Sequence, residues 1–177
     1  MNKYQRLLLP AIIVAGVLVR LPFIGLKSLW YDELYAVWAS SQPVDILLTE
    51  VPASGHPPIY YLVLHEVLRL GSGELWFRMV SCIVGIATIW FIFLLGKELI
   101  SRRTGLWAAA LAAFCPYLIW YSLDAPNYAC LLAIPTLSCH FLLRCITRDC
   151  WYNWCLLVLI TAATLFSPYS SRVLRAP

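Results

Sequence analysis

The chain has 177 residues, 62% of them apolar and 12% charged, with a mean hydropathy of +0.77. Soluble domains carry about a quarter charged residues, so a soluble globular protein is excluded, and the alternating segments of about ten residues that mark a β-barrel are absent. The net charge of +4 is spread between apolar stretches rather than gathered on one face, so it is no nucleic-acid footprint.

The pattern predicts an all-α, polytopic helical membrane protein, with residues 1–177 forming a single integral membrane domain. A spanning helix needs about 20 mostly apolar residues. Five segments meet that: 7–26, 78–96, 104–121, 128–145 and 151–168. The first has a basic start and an apolar centre, but Arg20 and Pro22 follow and no small-x-small cleavage site is clear, so it reads as a retained helix. Arg20 is the charge deepest in a span, and the expectation is that it snorkels to the boundary. Next comes a long outer loop, 27–77, with interfacial helices in it. Within that loop 59–70 has an apolar face, with His65, Glu66 and Arg69 on or near the other side, and twelve residues are too few to span.

Short-loop basic residues set the orientation. Lys3 and Arg6 precede the first span; Lys97, Arg102 and Arg103 follow the second; Arg144 and Arg148 follow the fourth. The turn at 122–127 has none, and 27–77 is acidic. The N-terminus is therefore expected in the cytoplasm and both acidic loops outside. Trp30, Tyr31, Tyr35, Trp38, Tyr60, Tyr61, Trp120 and Tyr121 then gather near the outer boundary, as interfacial anchors do. The seven cysteines read as free packed thiols, because Cys150-x4-Cys155 is not a zinc spacing.

Three outward clusters carry the candidate chemistry. They are Asp32-Glu33 after the first span, His56-Pro57-Pro58, and the run from Tyr121 through Asp124 to Tyr128. Carboxylates there could orient a substrate, take a proton or bind a divalent metal ion, for which Asp32, Asp124 and His56 are the candidate ligands. Each cluster has a plainer alternative: Asp32 as the cap of a helix beginning at Glu33, and tight turns at the proline-rich runs.

The motif order resembles the GT-C membrane glycosyltransferases, specifically the bacterial family-39-like enzymes related to protein O-mannosyltransferases and the aminoarabinose transferase of lipid A. The residues that carry it are Trp30-Tyr31-Asp32-Glu33; Gly55-His56-Pro57-Pro58 with Tyr60, Tyr61 and His65; Arg78; Gly96 and Leu99; and Pro116 with Ile119-Trp120-Tyr121-Ser122. The resemblance implies transfer of a sugar from a polyprenyl-phosphate carrier to an acceptor on the outer face of a bacterial cytoplasmic (inner) membrane. It makes Asp32 the catalytic base or acceptor-orienting acid, with Glu33 beside it. His56, Asp124 and Tyr128 become donor- or substrate-binding residues. The lipid-linked sugar and the bilayer are the implied partners, nucleic acid is not, and a partner membrane subunit is the further candidate.

The chain departs from the family pattern in two places. Pro126 stands where relatives carry a basic residue after the alanine, a natural partner for the donor's phosphate. Phe166-Ser167-Pro168-Tyr169 replaces a Thr-His-Tyr-like run. Relatives also continue well past this length, so the expectation is the N-terminal portion of a truncated enzyme, poorly stable without cover for its outer loop. The alternatives are a non-catalytic membrane subunit or remnant of such an enzyme, and a cation or proton transporter. The last is disfavoured because no Asp or Glu lies deep in a span.

Overall fold

A computed structural model describes residues 3–26, 28–54, 58–71, 73–124, 128–148 and 150–165. His56 lies outside the described residues. Among those described the fold is all helical, as expected: α1 (Lys3–Arg20), α2 (Tyr31–Ser40), α3 (Val44–Ala53), α4 (Pro58–Leu70), α5 (Glu74–Leu99), α6 (Arg102–Phe114), α7 (Pro116–Leu123), α8 (Tyr128–Thr147) and α9 (Trp151–Leu165). Helices α5 and α8 are long and apolar enough to cross a bilayer, and α6 with α7 makes a third candidate if the bent pair is one span. The apolar stretches in α1 and α9 are shorter.

Local chemistry explains the breaks. Helix α1 ends at Arg20 and tightens into a 3-10 turn at Leu21–Phe23, because Pro22 has no N–H to continue the ladder. Pro116 has the same effect between α6 and α7, which are bent by 59° about Cys115. Pro116 then serves as a preset first residue of α7. At the other end of α6, the Ser101 side chain accepts the Thr104 N–H at 3.2 Å and caps the helix.

Two cores form. One joins α1, α5 and α6 through Leu9, Ile89, Phe93, Ala109 and Ala113. Helices approach closely there, since a Cβ on Gly105 would lie 2.6 Å from the Phe93 carbonyl and one on Gly96 would lie 2.9 Å from Gly105 Cα. Small residues at four-residue spacing, Gly105, Ala109 and Ala113, give α6 the flat face on which membrane helices pack. The second core joins α2, α3 and α4 to the start of α5 through Ala36, Leu47, Val51, Tyr60, Tyr61, Leu64 and Phe77. The amphipathic segment at 59–70 is thus a helix docked on the bundle. His65 Nδ1 donates to the Ser40 carbonyl at 2.7 Å, tying α4 to the end of α2.

Two expectations change here. Tyr60 and Tyr61 are buried in that second core rather than anchoring at the boundary. Arg20 does not snorkel: it is 0% exposed. All seven cysteines are free, Cys82 and Cys145 buried and Cys139 and Cys155 exposed.

Candidate functional site

The end of the bundle where α1 finishes and α2 and α5 begin carries the acid pair. Helix α2 starts at Tyr31 with Trp30 as N-cap, two residues earlier on each count than a helix that begins at Glu33 and is capped by Asp32. The capping task therefore falls to Glu33, whose Oε2 accepts the Trp30 N–H at 3.1 Å. Successive residues on a helix point about 100° apart, and the two acids part accordingly. Asp32 is exposed, whereas Glu33 turns inward and is 1% exposed.

Glu33 meets Arg78 of α5 in a two-point ion pair: Nε donates to Oε1 at 3.1 Å and Nη2 to Oε2 at 2.9 Å. Arg78 also donates to the Ile24 carbonyl at 3.2 Å and the Ser28 carbonyl at 3.4 Å. It therefore fastens the chain that leads from α1 into α2. Glu74 and Asp124 add their negative charge to its surroundings.

Arg20 organises the neighbouring corner. Its Nε donates to Ser122 Oγ at 2.9 Å, and Nη1 donates to the carbonyls of Gly16 at 2.9 Å and Ala113 at 3.0 Å. Ala113 lies in the last turn of α6, where carbonyls lack partners and the helix dipole is negative. The guanidinium thus caps a broken helix. Its Nη2 is buried with no hydrogen-bond partner among the described residues. Ser122 in turn sits directly against Gly85 of α5, where no other side chain would fit.

On the outward side, Asp32 Oδ2 accepts the Tyr128 hydroxyl at 3.4 Å, across 96 positions of sequence. Tyr128 stacks edge-on against Tyr121 at 5.1 Å, and Tyr121 against Tyr117 at 4.4 Å. Behind them Tyr61 packs edge-on to Tyr35 at 6.3 Å. Burial chiefly, then the neighbouring Tyr35, Tyr60, Asp32 and Tyr128, raises the Tyr61 hydroxyl above its ordinary pKa. Tyr60, whose hydroxyl is 3.3 Å from Ser81 Oγ, is raised mainly by burial as well. Asp124 is half-buried at the end of α7, facing the charge of Arg78.

The structure therefore brings Asp32, Tyr128, Tyr121 and Tyr61 into one cluster and places Asp124 nearby. It sets Glu33 in the support beneath. No group of three His, Cys, Asp or Glu side chains able to hold a metal occurs among the described residues. The pairing of Glu33 with Arg78 and the burial of Arg20 escaped sequence reasoning. A lone arginine inside a span was the signal for the second. For the first, only a contact across 45 positions could reveal the pair.

A sequence profile of the dolichyl-phosphate-mannose-protein mannosyltransferase family matches residues 55–177. The chain belongs to that family. It is accordingly a multi-pass membrane glycosyltransferase of the GT-C type by family, in agreement with the resemblance seen in its motifs. No curated protein and no solved structure matches the chain. The mannosyltransferase profile begins after Asp32 and Glu33, so those two acids join the family's matched region through Tyr128 and Arg78.

Proposed function

We propose that the chain transfers a sugar from a polyprenyl-phosphate carrier to an acceptor hydroxyl at the Asp32 end of the bundle. That end faces the outside of a bacterial cytoplasmic membrane, with the N-terminus in the cytoplasm. The observation that carries this reading is the Asp32–Tyr128 contact, which leaves an exposed carboxylate at the edge of a tyrosine cluster. Asp32 takes the acceptor's proton as the hydroxyl oxygen attacks the anomeric carbon. The bond from that carbon to the phosphate oxygen breaks, and the lipid phosphate leaves with the electron pair. One displacement inverts the anomeric centre. Phosphate is already a stable leaving group, so the carboxylate serves the nucleophile. Aromatic faces such as Tyr121 and Tyr128 supply flat apolar walls for a sugar ring.

Glu33 is a positioning residue in this scheme. Its pair with Arg78 fixes the first turn of α2 and hence the direction of Asp32. Asp124 and Tyr128 belong to the substrate-binding side, and His56 stays with them as a residue outside the described part of the chain. A divalent ion remains a candidate for Asp32, Asp124 and His56, and no step is routed through it.

The test uses the full chain in liposomes with a panel of labelled polyprenyl-phosphate sugars and hydroxyl acceptors. Asp32→Asn is expected to slow transfer by about 100-fold or more while inserting and unfolding like the unaltered protein. Undiminished transfer by that variant removes Asp32 from the base role. A second reading, a non-catalytic subunit or remnant, is favoured by two observations. Arg78 is fully engaged by Glu33 and two carbonyls, and Pro126 stands where a phosphate-binding arginine would. Absence of transfer by the unaltered chain with every donor selects this second reading.

A further inference from the structure

The opposite end of the bundle holds a groove of about 650 Å³ between the N-terminal halves of α1 and α6. Its walls are Leu8 and Ile12 of α1 against Leu106 and Ala110 of α6, and Arg102 and Arg103 stand at its mouth. From the structure we infer that this groove binds one chain of an anionic glycerophospholipid, with the headgroup phosphate held at Arg102 and Arg103. The size lies within the roughly 300–1,000 Å³ of ordinary ligand pockets.

Three features distinguish it from a bare lipid-facing surface. First, polarity runs along one helix face in the order that a phospholipid presents. Arg103 is exposed; Trp107, one turn further in, is 74% exposed; and Leu106 and Ala110 of the same helix line the apolar part of the groove. Charge, amphipathic ring and aliphatic side chain thus match headgroup, glycerol level and acyl chain. Second, the guanidinium of Arg102 is held in place over the Phe93 ring at 5.9 Å, so part of the cationic mouth is preorganised. Third, the residues that line the groove include two arginines and no carboxylate, and Glu98 at the end of α5 is turned to Arg148 at 4.0 Å on the α8 side, which leaves the mouth electropositive. Basic clefts between membrane helices recognise acidic headgroups in this way.

The site is separate from the Asp32 cluster, at the other end of α1 and α6, and does not depend on the activity proposed for that cluster. Native mass spectrometry of the purified full chain, with phosphatidylglycerol or phosphatidylcholine added to the detergent, tests it. Phosphatidylglycerol is expected to be retained and phosphatidylcholine washed away. Arg103→Gln should weaken retention about fivefold, the effect of one arginine beside a headgroup. Ala110→Trp, which fills the groove and leaves both arginines, should abolish it, with far-ultraviolet circular dichroism unchanged in both variants. Equal retention of the two lipids, or phosphatidylglycerol retention unaffected by Ala110→Trp, overturns the inference. So does a shift in thermal midpoint produced as fully by inorganic phosphate as by phosphatidylglycerol.

Discussion

Glu33 and Arg78 meet through both carboxylate oxygens, at 3.1 and 2.9 Å, and each is 1% exposed. Attraction between such charges is offset by the loss of their hydration, so the pair is a weak source of net stability. Its consequence is geometric. One end holds the helix that presents Asp32, and the other belongs to the longest helix of the fold.

Removing either partner leaves a buried charge uncompensated. Arg78→Ala and Glu33→Ala are each expected to lower stability by about 3–5 kcal/mol, measured by unfolding in detergent. The double replacement Glu33→Leu with Arg78→Met should be less damaging than either alanine variant. A simple sum of two penalties in the double variant would contradict the pairing.

Asp32 and Tyr128 contribute unequally to the proposed transfer. Asp32→Asn removes the proton acceptor and should slow transfer by about 10²–10⁴-fold, the usual range for a general base. Tyr128→Phe removes one hydrogen bond to that carboxylate, weakened by its length of 3.4 Å. It should slow transfer by no more than about fivefold. An equal loss in both variants would give Tyr128 a larger part than this geometry allows.

Arg20 and Ser122 hold the corner between α1 and the α6–α7 break. Ser122→Ala leaves the buried Nε of Arg20 without its partner and is expected to cost about 1–3 kcal/mol. Gly105→Ala tests the neighbouring helix contact, because its added methyl would meet the Phe93 carbonyl at 2.6 Å. Backbone cannot step aside easily, so a loss of about 1–3 kcal/mol is expected from overpacking. Thermal unfolding of each variant in one detergent checks both values.

Alkaline pH should destabilise the protein through α4. The pKa of Tyr61 is raised in the folded state above the ordinary value of 10.0, chiefly by burial. A raised pKa means that the folded state holds its proton more tightly. The associated stability is therefore complete below pH 10 and is lost as pH climbs through the folded value. Midpoints recorded from about pH 8 to 11 should fall at the alkaline end, and the fall should be smaller in Tyr61→Phe. Identical profiles for the two proteins would place the alkaline sensitivity elsewhere.

Much of the architecture was legible along the chain. Long apolar runs with few charges specify membrane helices wherever they occur, since backbone polar groups in lipid must bond within the segment. The spans expected at 7–26 and 104–121 run through Pro22 and Pro116, where the helices break for an equally local reason. The span read at 104–121 nevertheless divides at Cys115, and the size of the bend depends on how Arg20 and α5 receive the two halves. The site was half legible. Asp32-Glu33 stood out because two acids beside an apolar span are costly, yet adjacency hid their different surroundings.

The sequence by itself determined the all-α membrane class, the family's motif order and the set of candidate acids. These rest on composition and local spacing, which survive without any knowledge of distant contacts. Only the tertiary structure decided that Glu33 is taken by Arg78, that Arg20 stays buried against Ser122, and that Asp32 faces Tyr128. Those contacts join residues 45, 102 and 96 positions apart. Which carboxylate is exposed depends on a helix's rotation against its neighbours, and packing of α2 on α4 and α5 sets that rotation.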